Sequence, residues 1–146
     1  MGLENGITLV TRNKIDLDDW EIKPGYITVT LDEWSTKKYN RGYEYDVCYW
    51  RKCGEIRHDI LEILHEERDD DGTYIIETAE QILQIRDALV HYLLKPEDWG
   101  NSISSIWSMD EYAPHLARDI MNLGWLANYM KEHEGEKLIV EFYDSY

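Results

Sequence analysis

Residues 43–67 read YEYDVCYWRKCGEIRHDILEILHEE, and the fold turns on how this stretch is read. Tyr49, Cys53, Ile56, Ile60 and Ile63 recur at spacings of four and three, with Trp50, Leu61 and Leu64 widening the stripe. That periodicity predicts one long helix from about Tyr43 to Glu67 with its apolar face turned to a core. The acidic run from Glu66 to Asp71 opposes the dipole at a helix C-terminus, and Gly72 can turn the chain there.

Upstream, Ile7–Thr11 and Tyr26–Leu31 alternate apolar and polar residues and favour β-branched types, with Pro24-Gly25 as a turn before the second. Both read as strands. Downstream, Thr73–Glu77 reads as a short strand. Thr78 with Gln81 then makes a capping box for a second helix, lined by Ala79, Ile82, Ile85, Leu89 and Tyr92 and ended by Lys95-Pro96. A loop from Glu97 to Met109 carries Trp99 and Trp107. Ser108 with Glu111 makes another capping box, and Pro114 suits only the first turn of the helix that follows. Leu116, Ile120, Leu123, Ala127 and Met130 give that third helix its seam, and Leu138–Tyr143 forms a closing strand. Strands at both ends with helices between them predict a single α+β domain over residues 1–146. In it, a small antiparallel sheet from the N-terminal strands and a C-terminal strand packs against about three helices.

Composition narrows the partners. Thirty acidic residues against fifteen basic ones give a net charge of −15 and a pI near 4.6, which argues against sequence-independent binding to a duplex. The charge is uneven: residues 1–43 carry a net −1, residues 44–77 a net −7 and residues 78–146 a net −7. The helical body is therefore the acidic part. No stretch reaches the 18 or so apolar residues of a membrane span, and no signal peptide opens the chain. Cys48 and Cys53, placed on one helix, would stand about 7.5 Å apart along its axis with diverging directions. Two free thiols without a leader fit a reducing cytoplasm.

The densest chemistry is Tyr49-Trp50-Arg51-Lys52, followed by Arg57 and His58. Rings that stack on a base stand beside cations that meet phosphate, so these six residues are the candidate ligand site. The competing reading puts Trp50 in the core and pairs the cations with Asp46, Glu55 and Asp59 one turn away. Glu55, His58, Glu62 and His65 share one helical face and resemble di-iron half-sites. Such sites, however, draw their ligands from four helices, so a solvated polar face explains this one better. Across Glu67, Asp69 and Asp71 an EF-hand register leaves Thr78 where the bidentate Glu belongs. No nucleophile elbow, Gly-rich phosphate loop, zinc-protease motif or other cofactor signature appears. Eleven Tyr and six Trp against one Phe favour rings with a polar handle, which suits an interaction protein.

Tyr49-Trp50-Arg51-Lys52 with Ile56, then Asp70-Asp71-Gly72 leading into Tyr74, resembles a group of small bacteriophage and prophage proteins with no assigned activity. The resemblance covers roughly residues 43–146, and only its first motif is specific. Where that group usually has Ile-His followed by Trp-Phe, this chain reads Ile56-Arg57-His58-Asp59-Ile60. The shift turns the imidazole about 100° around a helix. The resemblance implies a phage accessory protein in the host cytoplasm. The expected function is stoichiometric binding to a basic surface on a host protein, as in an anti-CRISPR-like inhibitor of a nucleic-acid-binding defence protein, without catalysis. The alternatives are a protein that sequesters a nucleotide second messenger through the aromatic and cationic residues, and a metal-dependent hydrolase on Glu55, His58, Glu62 and His65.

Overall fold

A computed structural model describes residues 4–13, 15, 29–30, 43–51, 54–66, 72–99, 109–136 and 138–145. The elements are β1 (Glu4–Thr11), β2 (Val29–Thr30), β3 (Tyr43–Arg51), α1 (Gly54–Ile63), β4 (Gly72–Ile75), α2 (Ala79–Leu94), a 3-10 turn (Pro96–Trp99), α3 (Met109–Glu132) and β5 (Leu138–Ser145). The strands form one sheet in the order β2-β3-β1-β5-β4, and every neighbouring pair is antiparallel. This is the expected α+β class.

The main correction falls on the opening stretch. Residues 43–51 are a strand, and the helix runs only from Gly54 to Ile63. Opposite Ile7 and Thr8 on β1 stand Cys48 and Asp46, so Val47 is an extra, bulged residue. A bulge resets the two-residue alternation that marks a strand. Before it Tyr43 and Tyr45 point to the helices; after it Cys48 and Trp50 do. The broken alternation imitates a helical stripe, and the aromatic content of the segment suits a strand.

The end of α1 also differs. The helix stops before the acidic run, with His65 at φ 59° in the left-handed position after its last turn. Glu66 N–H bonds to the Leu61 carbonyl at 2.8 Å and His65 N–H to the Glu62 carbonyl at 3.1 Å, the pairing of a Schellman cap. Gly72 instead opens β4. At the second helix the capping box forms as read, with Gln81 N–H bonded to Thr78 Oγ1 at 3.2 Å and Gln81 Oε1 reaching the Thr78 N–H at 3.1 Å. All five residues assigned to its inner face are buried. α3 begins at Met109, so Pro114 lies in its second turn rather than its first. Ser108, Cys53, Lys52, the 67–71 turn and most of the second predicted strand lie outside the described residues.

The core lies between one face of the sheet and the helices. Cross-strand register places Cys48, Ile7, Phe142 and Tyr74 in one row and Tyr45, Leu9 and Val140 in the next. Ile56, Ile60, Ile82, Ile85, Leu89, Leu116, Leu123 and Leu126 close over them. Every residue of β1 after Glu4 is buried, as its central position requires. On the opposite face Gly6 leaves room for the Tyr143 ring. A Cβ at Gly6 would stand 2.4 Å from the Cys48 carbonyl and 2.6 Å from the Tyr143 hydroxyl.

Candidate functional site

β3 divides the Tyr49–Lys52 motif between the two faces of the sheet. Trp50 is wholly buried under α3, and its indole N–H donates to Asp119 Oδ2 at 2.9 Å. Tyr49 lies on the opposite face, 40 % exposed, in register with Gly6. Arg51 is a strand residue whose side chain, like Lys52, lies outside the described residues. Arg57 turns inward from α1, and its Nε donates to Asp144 Oδ2 at 2.7 Å in a buried ion pair. His58 is exposed, 3.6 Å from Glu62. Of the six candidate residues, the four with described side chains share no pocket, because a strand's alternation and a helix turn point them apart. Trp50 has no open face on which a base could stack.

Trp50 belongs to a largely buried polar cluster with His115 at its half-buried rim. α3 contributes His115, Asp119 and Asn122, and β3 contributes Cys48, Trp50 and the bulge. Asn122 Nδ2 donates to the carbonyl of Val47 at 2.9 Å, so the bulged residue's main chain is held by α3. His115 Nε2 lies 3.4 Å from the Tyr49 carbonyl and 3.7 Å from Asp119 Oδ2. Burial pushes the Asp119 carboxyl well above the usual carboxylate range, against the pull of the Trp50 and Cys48 donors. Burial likewise raises the Cys48 thiol, and the Asp119 carboxyl raises it further. Burial lowers the His115 imidazole, while its bond to the Tyr49 carbonyl pulls the other way. A thiol bonded to a carboxyl that an imidazole also approaches has the composition of a nucleophilic triad. Here a raised, wholly buried thiol gives neither thiolate nor access. The cluster's chemistry is structural: it ties α3 to β3.

Beside it, Asn5 completes a polar row with Trp50 and Asp144 across the sheet. Its side-chain amide is fully buried and bonded to no protein atom. Tyr and Trp handles also serve the interior: Tyr45 Oη accepts the Ile15 N–H at 2.8 Å, and Tyr92 Oη donates to Asp59, joining α2 to α1. The aromatic excess therefore builds the core in part, where the sequence suggested a surface.

Open concave surface lies elsewhere. Where β4 leaves β5 for α2, a groove of about 430 Å³ opens between the start of α2 and the end of α3. Ile76, Met130, Leu138 and Val140 supply apolar lining, and Glu77, Glu80, Glu134 and Glu136 bring carboxylates. Lys131 is its lysine, and the imidazole of His133 lies beside it. Gly135, at φ +89°, makes the turn from α3 toward β5, a conformation that favours glycine. His133 is held in place: its Nδ1 lies 2.9 Å from the Tyr129 carbonyl, and its ring stacks on Tyr129 at 3.9 Å. Tyr129 in turn stacks on Trp125 at 5.1 Å. The sequence reading missed this ladder; its signal is three rings at four-residue spacing, which share one helical face.

Among the described residues, no three His, Cys, Asp or Glu side chains come together as a metal site, and no helix is long and apolar enough to cross a membrane. Comparison with protein-family models, with curated proteins and with solved structures returns no match.

Proposed function

We propose that this chain is a non-catalytic binding protein that meets a basic surface of a partner protein with its carboxylate-rich exterior. In the phage setting that the motif resemblance implies, the partner is a host nucleic-acid-binding defence protein, and the acidic chain blocks the basic channel that would hold nucleic acid. The observation that carries this reading is the placement of charge. Glu62, Glu66, Glu80, Asp87, Glu97 and Asp98 are all exposed, on helices or their ends. The Cys48 thiol is meanwhile buried in the core. Surplus surface charge of one sign raises encounter rates with an oppositely charged partner.

An affinity pull-down from bacterial lysate identifies the partner, and binding of the purified pair is then measured across a salt series. Affinity should fall about tenfold or more between low and high salt as the charges are screened. Nucleic acid should compete for the same partner surface. An affinity indifferent to salt, or turnover of any compound by the purified chain, overturns the reading.

A further inference from the structure

We propose that the groove between α2 and α3 seats an extended segment of a partner protein in which basic and apolar residues alternate. This names the anchor of the acidic reading above and rests on it. Three independent features of the groove point to such an occupant.

One is the outer edge of the sheet, beyond which no strand lies among the described residues. β4 is the outermost strand beyond β5. The Ile76 N–H bonds to the Val140 carbonyl at 2.8 Å, which fixes the phase of the ladder. Alternate residues of an antiparallel pair bond to the same neighbour. Gly72, Tyr74 and Ile76 thus turn their main-chain groups to β5, while Thr73 and Ile75 turn theirs outward. Ile75, at the lip of the groove, is 55 % exposed. An extended peptide can add to such an edge as a further strand, taking main-chain hydrogen bonds from it.

The second feature is the lining. Side chains of an added strand alternate with a two-residue period, repeating about every 7 Å. One set can settle on Met130 and Leu138, the half-buried apolar residues of the lining, while the other reaches toward the carboxylates around them.

Charge is the third. Four carboxylates, Glu77, Glu80, Glu134 and Glu136, face one lysine and one imidazole around the opening. His133 and Glu136 are within 3.9 Å of each other, so one of the four carboxylates already has a ring beside it. The excess favours Lys or Arg at the outer positions and repels an acidic segment.

The test uses the full chain and the blocked peptide acetyl-(Lys-Val)3-amide, with (Ser-Val)3 and (Glu-Val)3 as controls, followed by amide chemical shifts. The expected result is that the lysine peptide moves Thr73, Ile75, Glu77 and Gly135, with (Ser-Val)3 weaker and (Glu-Val)3 silent. Glu134→Gln with Glu136→Gln should weaken binding about fivefold, the scale of two exposed charge pairs. Both residues are exposed, so the fold should survive, and an unchanged amide spectrum elsewhere checks this. N-methylation of alternate peptide bonds should abolish binding in one phase only. Absence of binding, shifts confined to another surface, or equal binding of (Ser-Val)3 overturns the inference. The wider acidic reading fails separately, through the salt series with the full partner.

Discussion

Replacing Asp119 by Asn tests whether the buried carboxyl is held there at a cost. Asp119 is fully buried beneath the Trp50 indole, and burial raises its carboxyl well above the usual value of 3.8. The folded state then binds a proton more tightly than the unfolded one. The resulting stabilisation is complete below pH about 3.8 and is lost as pH rises through the folded value, at up to about 1.4 kcal/mol per pH unit for one proton. The amide keeps an oxygen to accept the indole N–H and carries no charge to desolvate. It exchanges a charge-assisted bond for a neutral one, a loss of about 1 kcal/mol, against relief of a desolvation penalty of several kcal/mol. The Asn variant should therefore be about 1–2 kcal/mol more stable than the natural chain at pH 8, with the gap closing toward pH 4. Asp119→Ala strands the indole N–H and leaves a void, costing about 2–4 kcal/mol at every pH.

Urea unfolding followed by far-ultraviolet circular dichroism between pH 4 and 8 reads all three chains. His115 contributes with the opposite sign. Its lowered imidazole gives stability present above about pH 6.5 and lost as pH falls. The difference between the natural chain and the Asn variant cancels that background. Staying at or below pH 8 keeps Cys48, raised by burial, protonated throughout. If Asn and Ala were equally damaging at pH 8 and the natural and Asn curves ran parallel, the burial argument would be refuted.

Two further substitutions probe the sheet. Gly6→Ala forces a Cβ to within 2.4 Å of the Cys48 carbonyl. It should cost about 3 kcal/mol or more, and Tyr143→Ala should rescue little because the carbonyl clash stays; thermal unfolding of the single and double variants decides this. Asp144→Ala leaves Arg57 buried without its carboxylate and should cost about 3–5 kcal/mol. Joint replacement by Arg57→Met and Asp144→Leu should cost much less, and equal losses in the two cases would contradict the ion-pair account.

Much of the fold was legible because it is local. The Thr78–Gln81 capping box and the seam from Ala79 to Tyr92 follow from helix spacing and from hydrogen bonds closed within four residues. The last strand and the antiparallel class likewise follow from alternation and element order. The candidate site was not legible. Reading 43–51 as helix put Trp50, Arg57 and His58 on one surface, whereas the strand and the helix after it turn them three ways.

The sequence by itself determined an acidic α+β chain, its capped second helix and the absence of any complete catalytic or phosphate-binding motif. Those properties depend on residue types and on short-range spacing. Only the tertiary structure decided that Val47 is a bulge, that Asp119 and Asn122 on α3 hold β3 from about seventy positions away, and that β4 ends beside the open groove. This bulge is held by its partner strand and by a helix residue that donates to the Val47 carbonyl. Neither is encoded within the nine residues of β3.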